Sequence, residues 1–381
     1  MDLTEKDYAH WLFNVPGIGN KSAEKLLCSG ISCKEIYEMN SKKLSGLLTS
    51  RQVLSLERSR NAWDFEAEDK KLKDMGVSFI SRIDPLFPEK LKDIPNAPFA
   101  VYVKGKLPNP GAPSVAIVGA RMCSDYGRYM ARQFGQGLAL AGVQVISGMA
   151  RGVDGIAQKA ALLAGGDSYG ILGCGVDVCY PPENKEIYDR LITNGGIISE
   201  YPPGTQPIAN FFPIRNRIIS AFADALVVVE ARLRSGTQIT VDTALEQGKE
   251  VFAIPGRVTD RLSDGCNFLI SQGAGIALSV EDVLDRLNGI KHASSNNQLN
   301  DNIAAPGNAD EVGYEDEDRK PTLDEEILGV IDLDPVSASY ILDELYKKGI
   351  DISVTELLPI LMDLTGSGKI VQNGAYFRKI A

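Results

Sequence analysis

Three glycine-containing turns in the 381-residue chain carry residue types that bind anions. Glycine lets a backbone come close to a ligand, a helix N-terminus attracts negative charge, and arginine or lysine adds a formal positive charge. The turns lie at Gly119-Ala120-Arg121, at residues 147–154 and at residues 173–185. Each follows a short apolar run, so each is expected at the carboxyl end of a strand, where open α/β sheets bind ligands. Together they predict a phosphate-binding edge.

Two later segments add aromatic and basic side chains. Residues 211–219 place Arg215 and Arg217 beside two phenylalanines, which combines phosphate neutralisation with a stacking surface, as single-stranded nucleic acid requires. The alternative is that these arginines cap helices and bridge acids within the protein. Residues 229–237 again join a strand end, basic residues and a glycine turn. There, Ser235 and Thr237 either bind phosphate oxygens or cap the following helix.

Two common nucleotide sites are disfavoured by the same turns. A dinucleotide site requires Gly-x-Gly-x-x-Gly, and the first turn has Arg121 in place of the second glycine. A P-loop requires Gly-Lys-Ser/Thr after four spacer residues, and the sequence contains none. We therefore expect that the protein neither binds NAD nor hydrolyses ATP, and that it has no cofactor.

The elements that would position these turns alternate between strands and helices from about 110 to 289. Six short β-branched runs, separated by helical stretches, occur at residues 115–118, 143–146, 169–172, 197–198, 226–229 and 251–254. Continuous apolar strands with helices between them indicate a parallel sheet covered on both faces. The predicted class is α/β, with a Rossmann-like core over residues 73–289 that includes a connector at 73–109.

The flanking regions predict two further domains. Residues 1–72 have apolar positions at helical spacing and contain a Pro-Gly-Ile-Gly hairpin, which is typical of a helix-hairpin-helix or SAM-like domain. Gly17, Gly19 and Lys21 of this hairpin form a second candidate DNA contact; the alternative is a plain tight turn.

Residues 290–320 are polar and acidic and predict a flexible linker. Residues 321–381 combine three helical stretches with an Asn-Gly hairpin, which predicts a winged helix. Pro359 is expected to kink or shorten the third helix, so a docking role suits that helix at least as well as entry into a DNA groove.

Composition limits the remaining classes. The net charge of −10 sets long-range steering but leaves room for a local basic surface. No apolar run approaches the roughly 18 residues of a membrane span, and the N-terminus lacks the plan of a signal peptide. We therefore expect a cytoplasmic protein without a membrane partner.

Six cysteines without a CxxC pair and two histidines predict no metal site; we expect buried thiols and surface imidazoles.

Several long motifs in register resemble one family. They are Ser147-Gly148-x-Ala150-x-Gly152-x-Asp154, Gly175-x-Asp177-x-x-Tyr180-Pro181-x-x-Asn184, Phe212-Pro213-x-Arg215-Asn216-Arg217, Val229-Glu230-Ala231 and Phe252-Ala253-x-Pro255-Gly256. The chain resembles the DNA-processing protein A (DprA/Smf) family from about residue 80 to 289. The resemblance implies a homodimeric, non-enzymatic protein that binds single-stranded DNA without sequence preference. It also implies that the protein helps to load the recombinase RecA in natural transformation.

The resemblance also assigns roles to residues. Arg121 would bind backbone phosphate, and Lys185 with the Phe212 to Arg217 segment would line the same pocket. The chain departs from many relatives at residues 208–210, where it lacks a basic residue before the Phe-Pro. The expected DNA-binding residues are Gly119, Arg121, Ser124, Ser147, Gly148, Arg151, Asp154, Gly175, Asn184, Lys185, Phe212, Arg215, Asn216, Arg217, Ser235, Gly236 and Thr237.

Two other functions remain open at this point. The phosphoribohydrolases share a related Rossmann-like core and place a catalytic glutamate after a Pro-Gly-Gly-x-Gly-Thr turn. Here residues 234–241 contain no carboxylate, and Asp242 and Glu246 are interpreted as solvated or capping. The other alternative is an interaction scaffold with a vestigial anion site. The apolar stretch at 254–278 either forms a dimer interface or closes the core.

Overall fold

The computed structural model describes residues 2–27, 30–295, 322–331, 336–350, 352–373 and 376–379, without the side chains of 288–295, 325 and 373. It divides into two compact units, Met1–Ala293 and Ser294–Ala381. Most of the predicted linker, residues 296–320, lies outside the described residues, and its first six residues continue a helix that starts at Val280.

Helices and strands of the first unit alternate from residue 114 onward. Its helices are α1 (Glu5–Phe13), α2 (Asn20–Leu27), α3 (Cys33–Glu38), α4 (Ser41–Leu44), α5 (Ser50–Ala62), α6 (Phe65–Asp74), α7 (Asp125–Leu140), α8 (Val153–Leu163), α9 (Lys185–Thr193), α10 (Phe211–Phe222), α11 (Gly236–Glu246), α12 (Asp264–Ser271) and α13 (Val280–Ser295). Its strands are β1 (Val77–Ser81), β2 (Ala100–Gly105), β3 (Ser114–Val118), β4 (Gln144–Ser147), β5 (Ser168–Leu172), β6 (Gly195–Ser199), β7 (Ala225–Val228), β8 (Glu250–Ala253) and β9 (Gly275–Ile276).

The strands form one nine-stranded sheet in the order β1-β2-β6-β5-β4-β3-β7-β8-β9. Along this order, every pair of neighbours in β6-β5-β4-β3-β7-β8-β9 is parallel. Strand β2 is antiparallel to both β1 and β6. The predicted α/β class with a mostly parallel sheet is confirmed. Chain order reverses between β3 and β7, which makes the gap beyond their carboxyl ends the topological switch point where such sheets bind ligands.

Alternate residues of each strand feed two hydrophobic layers. Val115 and Ile117 of β3 pack with α7 and α8 on one face of the sheet, whereas Ala116 and Val118 pack with α10 and α11 on the other. Both faces are therefore covered, which explains why β3 to β7 are buried along their whole length. The loops at the strand ends are held between two packed layers.

The helices before residue 75 share a hydrophobic cluster with the sheet. Trp11, Leu26 and Leu56 belong to the same buried cluster as Phe79 and Tyr102 of β1 and β2. These helices thus pack directly on the antiparallel side of the sheet.

The expectation of a surface imidazole was wrong for His10. Its ring lies among those of Trp63, Phe79 and Tyr102, with centroid distances of 4.7 to 5.9 Å. Burial lowers the pKa of His10 to about 4. The physical reason is that His10 lies on the face of α1 that packs against aromatic side chains.

Four thiols (Cys33, Cys123, Cys174 and Cys266) are free and buried, as expected.

The second unit contains three helices and a small antiparallel sheet. Its elements are α14 (Leu323–Val330), β10 (Val336–Ser337), α15 (Ala338–Lys347), α16 (Val354–Gly366), β11 (Ile370–Asn373) and β12 (Tyr376–Lys379), with strand order β10-β12-β11. Pro359 lies inside α16, which continues past it to Gly366, so the proline does not shorten this helix. Among the described helices of both units, none is long and apolar enough to cross a membrane.

Candidate functional site

A cleft of about 760 Å³ opens at the carboxyl ends of β3 and β7. Its walls come from the turns after these two strands and from the first residues of α10 and α11. The cleft thus occupies the switch point of the sheet. The predicted site residues that line it are Gly119, Arg121, Asp154, Phe212, Arg215, Asn216, Ser235, Gly236 and Thr237.

The guanidinium of Arg121 lies over an aromatic ring at this cleft. Its Cζ is 5.6 Å from the centroid of the Phe212 ring, and Phe212 in turn stacks on Tyr180 at 5.5 Å with an interplanar angle of 27°. A Cβ added at Gly173 would lie 2.9 Å from Cδ1 of Phe212, so this glycine makes room for the ring. Arg121 is exposed and forms no ion pair or hydrogen bond with any residue that the structure describes. A cation stacked on an aromatic ring and free of acids is well placed to bind phosphate.

The N-terminus of α11 opens into the same cleft. Ser235 occupies the N-cap position but makes no capping hydrogen bond, and its buried Oγ has no partner within the described structure. A Cβ added at Gly236 would meet no atom within 4 Å. Free backbone donors at a helix N-terminus favour an anion. The hydroxyl, the open space and the helix end therefore point to an acidic ligand.

Arg215 lines the cleft but is committed to the backbone. Its Nη1 donates to the carbonyl oxygens of Gly148, at 3.0 Å, and of Ile171. Burial lowers the pKa of Arg215 to about 10, and the nearby Asp154 opposes that shift. The carboxylate of Asp154 accepts the Gly148 N–H at 3.1 Å, and burial raises the pKa of Asp154. This pair fixes the floor of the cleft.

Arg217 points into the protein instead. Its Nη2 lies 2.8 Å from both carboxylate oxygens of Glu200, and its Nε donates to the Asn96 carbonyl at 2.9 Å. Asn20 of α2 donates to the same carboxylate. The buried group links α10 to the N-terminal helices.

Ser124 has a capping role. Its hydroxyl donates to the buried Glu230, and it accepts the Gly127 N–H at 3.1 Å, which caps α7. Burial raises the pKa of Glu230, while the hydrogen bonds from Ser124 lower it. Ser124 thus ties the start of α7 to the end of β7, beside the cleft rather than in its wall.

Other predicted residues shape the turns from within. Ser147 donates to the Ile117 carbonyl at 2.6 Å, and the Asn184 amide donates to the Met149 carbonyl at 2.9 Å. A Cβ added at Gly148 would lie 2.7 Å from Nη2 of Arg215, and one at Gly175 would lie 2.6 Å from Asp177. These glycines permit close approach between parts of the protein itself.

Two predicted cations lie outside the cleft wall in exposed ion pairs. Arg151 Nη2 is 2.7 Å from Glu183, and Lys185 pairs with Asp189 one turn along α9. Each must leave its carboxylate before it can bind a ligand.

The N-terminal hairpin is docked on α5. Gln52 Nε2 donates to the Gly17 carbonyl at 3.0 Å and to Ser22 at 2.9 Å. Gly17 and Gly19 are exposed with open space around them, and Lys21 is exposed. The hairpin does not line the cleft.

Sequence reasoning missed Tyr180 and Arg232, which both line the cleft. Tyr180 lies in the turn at residues 173–185 and Arg232 in the segment at residues 229–237. In each case the side-chain type, aromatic or cationic, could have indicated a DNA contact. Within the described part of the chain, no group of three or more His, Cys, Asp and Glu residues could hold a metal ion.

Comparisons with known proteins converge on one family. The sequence profile of DNA recombination-mediator protein A matches residues 78–288. DNA processing protein DprA of Streptococcus pneumoniae is 41% identical over 222 residues, which are 58% of this chain and 78% of the relative. Protein Smf of Escherichia coli is 42% identical over 202 residues, covering 53% of this chain and 54% of that protein.

Two solved structures share the fold. DNA processing protein A from Streptococcus pneumoniae superposes with a TM-score of 0.66 at 35% identity, covering 75% of this chain and 98% of that one. The protein of the same name from Helicobacter pylori, which has a unique single-stranded DNA binding mode, gives a TM-score of 0.50 at 28% identity. That match covers 56% of this chain and 96% of the Helicobacter pylori chain.

Proposed function

The chain belongs to the DNA recombination-mediator protein A family, and we propose that it binds single-stranded DNA without sequence preference in the cleft at the carboxyl ends of β3 and β7. The observation that carries this proposal is the position of Arg121. Its guanidinium lies over the Phe212 ring at the cleft and forms no ion pair with any acid that the structure describes. The DNA binding of the Helicobacter pylori relative supports it.

The cleft chemistry suits a strand bound through its backbone. Arg121 and Arg232 supply positive charge, and Ser235 with the first N–H groups of α11 supplies neutral donors. Phosphate contacts fix the position of a strand but carry no base information. Binding without sequence preference follows from this set of contacts.

Binding without catalysis is part of the proposal. Asp154 is the one carboxylate among the cleft-lining residues that the structure describes, and it is held by the Gly148 N–H beneath Arg215. Asp242 is exposed on α11 and accepts a hydrogen bond from Gln238 at 3.2 Å. No carboxylate occupies the position after Gly236-Thr237 where a phosphoribohydrolase would place its glutamate.

The wider role and assembly are also proposed. The family description, which names a recombination mediator, supports a role in recombination. We propose that the bound strand is delivered to RecA in the cytoplasm. Exposed Phe268, Ile276 and Leu278 near the β9 edge support a homodimer. We further propose a helical domain at 1–72, a core at 73–289, a linker at 290–320 and a winged helix at 321–381.

The test is the affinity for unstructured, fluorescently labelled oligonucleotides, an oligothymidylate and a strand of mixed bases, measured by anisotropy at several salt concentrations. The wild-type protein should bind with an affinity that falls steeply with salt. Arg121→Ala should weaken binding about tenfold for every base composition, because one charge-assisted contact is lost. The salt slope should fall by about 0.7, the value expected for one phosphate contact to a single strand.

Arg151→Ala is the matched control, since Arg151 is also an exposed arginine but is paired with Glu183 outside the cleft wall. It should weaken binding less than Arg121→Ala. A wild-type protein that binds no single strand at low salt would refute the proposal. Equal losses in the two variants would move the site away from this cleft.

A further inference from the structure

Three neighbouring arginines on the loops after β7 and β8 form a surface that we call the arginine ridge. It consists of Arg232, Arg234 and Arg261, all exposed. None of the three has an ion pair or hydrogen bond with a residue in the described ranges. Elsewhere in the first unit, exposed cations such as Arg151 and Lys159 are paired with Glu183 and Glu186. The ridge is thus a group of exposed cations without a direct ion pair among the described residues.

The two loops are locked to each other, so the arginines cannot easily separate. Ala231 donates to the Leu262 carbonyl, and Gly265 donates to the Ala231 carbonyl, both at 2.9 Å. A Cβ added at Gly265 would lie 2.5 Å from the Ala231 oxygen, so the loops touch without space for a side chain. The fold thus holds the backbones that carry the three arginines against each other.

The nearby acids are occupied by the backbone. Asp264 accepts the Leu233 N–H at 2.9 Å, and Asp260 accepts the Leu262 N–H at 3.0 Å. Glu230 is buried and bound by Ser124. These carboxylates fix the loops while the guanidinium groups face solvent.

The ridge is continuous with the cleft and also carries apolar surface. Arg232 and Leu262 line the cleft, so the ridge begins at its wall. Leu233 is 48% exposed and Val258 is 91% exposed on the same two loops. Exposed aliphatic side chains of this kind offer apolar contact to the face of an unpaired base, and the arginines beside them offer charge to the phosphates.

We propose that the arginine ridge is a second binding segment for the same single strand, which leaves the cleft past Arg232 and crosses Arg234 and Arg261. This inference rests on the proposed function of the cleft. It makes the DNA track longer than the cleft and directs the strand toward the β8 side of the sheet.

The experiment compares oligothymidylates of about 4 to about 30 nucleotides on the full chain. In the ridge variant, Arg234 and Arg261 are replaced by glutamine, and Arg232, which also lines the cleft, is kept. For the long strands its affinity should fall at least tenfold and its salt slope by about 1.4, from two phosphate contacts at about 0.7 each. Because this variant keeps every cleft-lining residue, the shortest strands should bind to it as they do to wild type.

The charge-matched control replaces Lys34 and Arg58, two exposed cations on the N-terminal helices, by glutamine. It should leave both the affinity and the salt slope for long strands within about twofold of wild type. If wild type binds long strands and the ridge variant matches it, the ridge proposal is overturned while the cleft proposal stands. If wild type binds no strand of any length, the proposed function itself fails.

Discussion

The arginines of the first turn and of α10 differ in what their guanidinium groups contact. Arg121 stacks on Phe212 at the cleft, Arg215 donates to two carbonyl oxygens beneath it, and Arg217 is paired with Glu200. The sequence predicted positive charge beside aromatic rings, and it left open whether the paired arginines bind phosphate or bridge acids. Burial decides between these, and burial depends on neighbours distant in sequence, such as Glu200 and Asn96.

Replacement of Arg217 separates the two roles. Arg217→Met leaves the buried Glu200 carboxylate with only the Asn20 amide, which should lower the free energy of unfolding by about 3–5 kcal/mol. Urea denaturation measures this loss. At low temperature, where the variant is still folded, its affinity for oligothymidylate should stay within about twofold of wild type.

The double replacement Glu200→Leu/Arg217→Met is the control, because it removes the unpaired charge. It should be more stable than Arg217→Met alone. If Arg217→Met unfolds as wild type does but binds DNA tenfold more weakly, Arg217 contacts DNA and the structural role is wrong.

Two helix starts beside the cleft use their serines differently. Ser124 caps α7 and donates to Glu230, whereas Ser235 stands at the start of α11 with an unpaired hydroxyl. The same residue type at the same helix position therefore serves the fold in one case and remains available to a ligand in the other. A sequence pattern predicts both as caps or phosphate ligands and cannot distinguish them.

Ser124 and Ser235 give a prediction in which each serine is the control for the other. Ser235→Ala should change the unfolding free energy by less than about 0.5 kcal/mol, because no capping bond is lost. It should nonetheless weaken oligothymidylate binding about fivefold to tenfold, since a hydrogen bond to phosphate is lost. Ser124→Ala should show the reverse pattern: about 1–2 kcal/mol of lost stability and nearly unchanged affinity. Thermal unfolding and anisotropy on both variants check this, and equal behaviour of the two serines would contradict it.

At the scale of elements, the sheet was predictable because its strands are buried on both faces and therefore read as continuous apolar runs. The position of the cleft was predictable for the same reason, since glycine turns follow those runs. The antiparallel pairing of β2 with β6 escaped prediction, because it joins residues about a hundred positions apart. The stacking partner Tyr180 also escaped prediction, because only the folded chain brings its ring to Phe212.

Charge is distributed unevenly over the whole molecule. Residues 296–381 carry 17 acidic and 7 basic residues, which accounts for the whole net charge of −10 and leaves residues 1–295 neutral. The cleft and the arginine ridge lie entirely in the neutral part. A negative total therefore says little about the part of the chain that would meet DNA.

Removal of residues 296–381 tests that division. The second unit has its own core around Ile327, Leu345 and Leu361, so its loss should leave the first unit folded. The truncated protein should bind oligothymidylate at least as tightly as the full chain, because removal of 10 net negative charges lessens long-range repulsion of DNA. Any gain should be largest at low salt and vanish as salt rises, because screening removes it. Circular dichroism establishes that the truncation is folded, and a folded truncation without affinity for single strands would place the binding surface in the C-terminal unit instead.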